Sequence, residues 1–216
     1  GAADSSTFTG GLDTTAVTGT VSLAGTINTT NKQMDIGAAT LTAATTLDTG
    51  NAAAGILNVG AVTSGNFALT LDSGSTAGAT IALTSFAAGQ GGLTIRDAGG
   101  LATIGAVGAT NQGAVTITDS TAGVTFSGTV QATTVTLTDT EDNADITFVG
   151  NLTATALVTA AQSYDVVMQG ASNTITNDLT FAAIRNLDIG NGAADSSTFT
   201  GGLDTTDVKG TVSVSD

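Results

Sequence analysis

The chain has 216 residues, with 4 basic and 18 acidic side chains, a net charge of −14, and no Pro, Cys, Trp or His. Binding to nucleic acid needs Lys or Arg to displace the counterions of the phosphates. The composition therefore excludes nucleic-acid binding and disfavours anionic membranes. The absence of His and Cys excludes the usual catalytic triads, zinc sites and disulfides. No run of 18 or more apolar residues occurs, so no membrane-spanning helix is predicted.

A long repeat joins the two ends of the chain. Residues 1–15 and 192–206 are identical, and aligning 1–25 with 192–216 keeps 20 of 25 positions. A recurrence at a spacing of 191 residues indicates a tandem architecture. We therefore expect 1–191 to be one long repeat unit of about nine β-solenoid coils. Residues 192–216 would start the next unit and continue the same solenoid.

A shorter period subdivides the long repeat. Alternating apolar stretches that end near a Gly recur at steps of 18 to 25 residues, and with Gly19 and Gly210 at the two ends nine steps fill the repeat. A second series lies about half a period earlier and alternates apolar residues with Thr, as half-buried strands do. The second series comprises residues 69–71, 93–95, 115–117, 135–137 and 179–181, with a weaker member at 157–159.

Two or three short strands in every ~21 residues predict an all-β fold, a β-solenoid of about ten coils. Because the coil length varies, we expect a right-handed parallel β-helix rather than a left-handed one. The rival interpretation is a string of antiparallel sandwich domains. It is disfavoured because aromatic residues make up only 4% of the chain and because Asn191-Gly192 is the only Asn-Gly hairpin signal.

The densest acidic stretch contains Asp139, Glu141, Asp142 and Asp145. Carboxylate oxygens are the ligands that calcium prefers, so these four residues are the candidate metal ligands, and calcium is the only candidate cofactor. The alternative is a solvated turn between two strands. The other strand-end aspartates, Asp13, Asp48, Asp72, Asp97 and Asp119, are expected to be turn residues.

Five threonines share one place in the second series and should face outward: Thr70, Thr94, Thr116, Thr136 and Thr180. A flat threonine ladder suits an ice-binding surface, but Thr is also simply a good strand former. The ladder lapses at Val158 and the coil length varies, which disfavours an ice match. Phe8 and its repeat copy Phe199 are expected to point inward and fill one coil.

Gly/Thr/Ala-rich coils without Cys, such as residues 113–120, together with the near-identical long repeat, resemble the repeat regions of giant bacterial surface proteins. Filamentous-haemagglutinin-like adhesins and autotransporter passengers share this style. The resemblance covers the whole chain and implies a β-helical shaft exported from the cell. It carries no functional residue over to this sequence.

The sequence therefore predicts a structural shaft segment of an extracellular or cell-surface fibre. Self-association end to end, or as covalent tandem repeats, is expected, because open solenoid ends expose strand edges. The alternative is an adhesin for a carbohydrate or a host surface, stabilised by calcium; ice binding is less favoured. Tyr164 is the only tyrosine available for sugar stacking. Enzyme activity is not expected, because Arg96 and Arg185 lie about four coils apart and cannot cooperate.

Overall fold

A computed structural model describes residues 4–87, 89–108, 113–192 and 194–215. In these ranges the chain forms β-strands and no helix, and its strand pairings are parallel. Across the same residues, no helix is long and apolar enough to cross a membrane. Parallel pairing between successive segments requires the chain to return to the same side after each coil, which is the geometry of a solenoid.

The strands are short, and Gly, Asn, Asp and Ser fill the turns between them. In chain order they are β1 (Ser5–Phe8), β2 (Leu12–Asp13), β3 (Val21–Thr29), β4 (Met34–Ile36), β5 (Ala39–Asp48), β6 (Leu57–Thr63), β7 (Leu69–Gly74), β8 (Ile81–Ala87), β9 (Leu93–Ala98), β10 (Ala102–Val107), β11 (Val115–Ile117), β12 (Val124–Phe126), β13 (Val130–Leu137), β14 (Asp145–Phe148), β15 (Leu152–Thr159), β16 (Asp165–Met168), β17 (Ser172–Ile175), β18 (Leu179–Thr180), β19 (Asn186–Ile189), β20 (Ser196–Phe199), β21 (Leu203–Asp204) and β22 (Val212–Val214).

The coil has three faces, which we name A, B and C. Face A contains β2, β4, the first halves of β6, β8 and β10, and then β12, β14, β16, β19 and β22. Face B contains the first halves of β3 and β5, the second halves of β6, β8 and β10, the first halves of β13 and β15, and then β17 and β20. Face C contains β1, the second halves of β3 and β5, then β7, β9, β11, the second halves of β13 and β15, β18 and β21.

The core is a set of apolar columns that run along the solenoid axis. On face C, five consecutive coils place one fully buried aliphatic side chain directly over the next. This column is Leu47, Leu71, Ile95, Ile117 and Leu137. On face A, the rings of Phe126 and Phe148 stack with centroids 4.9 Å apart and an interplanar angle of 3°. One coil cannot bury its apolar side alone, so each coil depends on its neighbours for a core.

The predicted parallel β-solenoid is confirmed, and the antiparallel sandwich interpretation is wrong. The first sequence series follows face A from residue 34 to residue 190, and the second series follows face C. Face B was not singled out in the sequence, because its strands are often continuous with those of a neighbouring face. Gly19 and Gly210 each precede a strand instead of following one, so they do not belong to the face A series.

Candidate functional site

A row of five aspartates follows the end of face C through five successive coils. Asp48 pairs in register with Asp72, and Asp72 with Asp97. Ile117 pairs in register with Ile95 and with Leu137, so Asp119, two residues further on, lies between Asp97 and Asp139. Adjacent coils in such a ladder lie about 4.8 Å apart. We call Asp48, Asp72, Asp97, Asp119 and Asp139 the acidic row.

Several aspartates close turns, as the sequence predicts. The Asp48 Oδ1 accepts a hydrogen bond from the Gly50 amide at 2.8 Å, and the Asp72 Oδ1 accepts one from the Gly74 amide at 2.8 Å. Asp13 accepts hydrogen bonds from the amide and the hydroxyl of Thr15. Because the carboxylate holds the backbone two residues ahead, these residues serve the corner of the coil.

Arg96 neutralises one end of the acidic row. Its Nε donates to Asp72 Oδ2 at 2.5 Å, and its terminal nitrogen lies 3.8 Å from Asp48 Oδ2. The Arg96 side chain remains 47% exposed, so solvent screens much of this attraction. The pair is therefore a surface ion pair.

The carboxylates of Asp97 and Asp139, further along the row, are less well compensated. Burial, followed by the charges of Asp119 and Asp72, raises the pKa of Asp97 above its usual 3.8. The Oδ1 of Asp97 is buried and makes no hydrogen bond. Burial and the neighbouring Asp119 also raise the pKa of Asp139. These carboxylates therefore oppose folding when they are ionised.

Arg185 forms a clamp that ties three coils together. Its Nε and one terminal nitrogen bind the two oxygens of Asp165, at 2.7 and 2.5 Å, and its other terminal nitrogen donates to Asn143 Oδ1 at 2.8 Å. Asp165 also accepts from the Asn186 amide at 3.0 Å. The fork of Arg matches the carboxylate in a bidentate pair, which is the stronger kind of ion pair. This clamp was not predicted, because Arg185 lies 20 residues from Asp165 and 42 from Asn143.

The structure divides the candidate calcium ligands between two places. Asp139 is influenced by Asp142, Glu141 and Asp119. Asp145 instead begins β14, pairs in register with Asp165, and is influenced by Asp165, Arg185 and Asp188. Among the residues that the structure describes, no group of three or more Asp, Glu, His or Cys side chains is placed to hold a metal. The calcium site stays a prediction, and its four residues do not form one cluster.

Asparagine side chains connect neighbouring coils, a role that the sequence analysis missed. The Asn51 Oδ1 accepts from the amide of Thr76 at 2.9 Å, one coil further along, and Asn51 itself donates its amide to Asn31 Oδ1 at 2.9 Å. Asn66 Oδ1 accepts from the Gln90 amide at 2.8 Å. Asn31 and Asn66 adopt left-handed backbone angles, with φ of 56° and 73°. The sequence signal for these contacts was the recurrence of Asn, which tolerates left-handed backbone angles, in turns about one coil apart.

The threonine row occupies one line on face C, as predicted. Thr46, Thr70, Thr94, Thr116 and Thr136 pair in register on consecutive coils, with Thr46 as a member that the sequence analysis missed. Val158 takes the next place and is 48% exposed, and Thr180 follows in β18 opposite Asp204. The row is therefore interrupted by an apolar side chain.

The aromatic side chains are mostly unavailable for ligands. Tyr164 is fully buried; its hydroxyl donates to the Leu137 carbonyl at 2.9 Å, and burial raises its pKa to about 12. Phe199 is half-buried and packs against the core, as predicted. Phe8 pairs in register with buried Thr29, which places it on the inward side of its strand, but 39% of it is exposed. Phe8 lies on the outermost described coil, where no preceding strand covers it.

The site therefore consists of polar rows along the outside of a solid apolar shaft. Many of its charged groups take part in turns, ion pairs and contacts between coils. Comparison with known proteins found no family model, no curated protein and no solved structure that matches the chain.

Proposed function

We propose that the protein is a structural shaft segment that gives length and stiffness to an extracellular repeat fibre. The observation that carries the proposal is the parallel ladder on face A. Each strand of face A pairs with the strand of the next coil, from Leu12, through Met34 and seven further coils, to Val212. Nine intervals of about 4.8 Å correspond to a rise of roughly 43 Å.

Side-chain bonds along the axis support the same function. The Arg185 clamp and the Asn51 contact each bind groups on other coils. Bonds of this kind resist the separation of coils, which is the property that a shaft requires. Growth by further long repeats adds coils of the same kind, because the stability of a solenoid comes from contacts between nearest neighbours.

The position outside the cell rests on composition and on the resemblance described above. Charged residues make up only 10% of the chain, Thr is abundant and Cys is absent. This composition suits an exposed polar shaft that needs no disulfides. Antibody against this segment should label intact cells that express the parent chain. Labelling that appears only after permeabilisation would contradict this location.

The length of the particle tests the shaft itself. We would compare small-angle X-ray scattering of the 216-residue chain with that of a chain extended by one further long repeat. The expected result is a rod that lengthens by roughly 40 Å, the rise of eight to nine coils, at constant cross-section. A larger cross-section at constant length would overturn the proposal.

A matched pair of variants controls for solenoid integrity in that experiment. Ile117→Asp places a charge in the fully buried column of face C, whereas Thr116→Asp places the same charge on the outside of the same strand. Burying an unpaired charge is costly, so the Ile117 variant should lose the rod shape and the Thr116 variant should keep it. The adhesin alternative has no supporting contact in the described structure, since its expected aromatic, Tyr164, is buried.

A further inference from the structure

The two copies of the repeated segment lie on different faces of the solenoid. Ser5–Phe8 is on face C, where Ser5 pairs with Thr26. Its copy, Ser196–Phe199, is on face B, where Ser196 pairs with Ser172. The next strand of the first copy, Leu12–Asp13, is on face A, and its equivalent, Leu203–Asp204, is on face C. Both strands of the second copy therefore lie one face earlier than their equivalents.

The path of the chain gives the size of this offset. From Ser5 the chain returns to face C eight times, at Thr26, Thr46, Thr70, Thr94, Thr116, Thr136, Val158 and Thr180. It then passes face A at β19 and reaches face B at Ser196. The spacing of 191 residues is thus eight coils and two faces, one face short of the nine coils expected from the sequence.

The length of the coils supports the same count independently of the terminal strands. Seven coils separate Met34 from Leu187 on face A and use 153 residues, which is about 22 residues per coil. At that length, nine coils would need about 197 residues and eight coils with two faces about 190. The observed spacing of 191 residues agrees with the second value.

The repeated segment can occupy either set of faces because little in it depends on the face. Its strands are two to four residues long, and each copy keeps the same Asp-to-Thr turn. Both copies join the ladder by a normal backbone bond, from the Thr26 amide to the Asp4 carbonyl and from the Ser196 amide to the Ala171 carbonyl, each at 2.9 Å. The stacking phase is therefore set by the coils between the copies.

We propose that each long repeat in the shaft is turned by one face relative to the repeat before it. This inference rests on the proposed tandem shaft and describes how that shaft presents its surface. The acidic row ends face C in this repeat, so it would end face B in the next repeat and face A in the third. The original face returns after three long repeats, or 573 residues. The row then lies on a different side of the shaft in each of three successive long repeats.

Cysteine cross-linking tests the phase, and the natural chain contains no Cys to interfere. The variant Ser172→Cys/Ser196→Cys joins the two residues that pair on face B, and both side chains are exposed. The competing variant, Thr180→Cys/Ser196→Cys, joins the residues that would pair if the second copy lay on face C like the first. The positive control, Thr180→Cys/Asp204→Cys, joins the pair found on face C.

We expect at least about ten-fold more product with a short bismaleimide for Ser172→Cys/Ser196→Cys than for the competing variant, since only nearby Cys residues can be bridged. The positive control should react as the first variant does. Equal or greater reaction of Thr180→Cys/Ser196→Cys would overturn the offset, as would failure of the face B pair beside a reactive control. The scattering length tests the shaft separately, so a rod with the competing cross-link would reject the rotation alone.

Discussion

Asp13 and Asp204 are equivalent residues of the long repeat, yet Asp13 pairs on face A and Asp204 on face C. Both keep the same local bonds: each carboxylate accepts from the amide two residues ahead, at 2.8 Å for Thr15 and 2.9 Å for Thr206. The hydroxyl and the amide of Thr15 lower the pKa of Asp13, and the amide and the hydroxyl of Thr206 lower the pKa of Asp204. Local sequence therefore determines the turn, whereas the stack of coils determines the face on which the turn lies.

The Arg185 clamp should contribute more to stability than the Arg96 pair. Arg185→Gln leaves Asp165, whose side chain is only 12% exposed, without its bidentate partner. We expect a loss of about 2 kcal/mol or more in the free energy of unfolding, since an orphaned buried charge is costly. The matched variant Arg96→Gln removes a pair whose arginine is 47% exposed, and should cost less than about 1 kcal/mol. Urea unfolding measures the free energy of unfolding of both variants. Equal losses would contradict the larger contribution of the Arg185 clamp.

Asp97 should destabilise the protein at neutral pH. Its folded pKa is raised above 3.8, so the folded state holds the proton more tightly than the unfolded state does. Folding therefore loses stability as the pH rises through the interval between the two pKa values, and Asp97→Asn should be more stable than the parent at pH 7. The difference should disappear below about pH 3.8. Thermal melting across pH 3 to 7 measures it.

Asp204→Ala is the control for the Asp97→Asn measurement, because the pKa of Asp204 is lowered whereas that of Asp97 is raised. Hydrogen bonds from Thr206 lower the folded pKa of Asp204, so its contribution is present above the unfolded value of 3.8 and is lost as the pH falls through the folded value. The variant should be less stable than the parent at pH 7 and should approach it in acid. If the stability difference from the parent changed with pH in the same direction for both variants, the opposite pKa shifts of Asp97 and Asp204 would be contradicted.

Replacing Gly105, at the corner after face A, should destabilise the protein, because neighbouring coils approach closely there. An added Cβ would lie 1.9 Å from the carbonyl oxygen of Thr84 on the neighbouring coil, so Gly105→Ala must displace backbone and should cost about 1–3 kcal/mol. At Gly19 nothing lies within 4 Å of an added Cβ, so Gly19→Ala should be neutral or slightly stabilising. Chemical denaturation of the two variants measures the contrast. A neutral Gly105→Ala would show that the coils are further apart than described.

The calcium prediction can be tested residue by residue. Asp145 belongs electrostatically with Asp165 and Arg185, whereas Asp142 acts on Asp139. Any rise in melting temperature that calcium produces in the parent should therefore persist in Asp145→Ala and be lost in Asp142→Ala. Loss of the response in Asp145→Ala alone would contradict this division of the acidic stretch.

The sequence was sufficient to predict the stacked parallel strands, because buried apolar residues alternate with outward-facing, mostly polar residues on face A and with Thr on face C. It also identified aspartates such as Asp48 and Asp72 as turn residues, since their role depends on residues only two positions ahead. It could not reveal the Arg185 clamp or the face of each repeat copy. Those depend on which residues meet after a full coil, and a difference of a few residues in coil length changes the partner.

The direction of the bonds between coils has a mechanical consequence. The ladder and the Asn51 and Arg185 contacts join one coil to the next along the axis, so a force that pulls the two ends apart acts on one coil junction at a time. Rupture should then proceed by peeling, at modest force, and each released coil of about 22 residues would add roughly 70 Å of extended chain. A tether built in this way lengthens in coil-sized steps under load while the rest of the shaft stays folded.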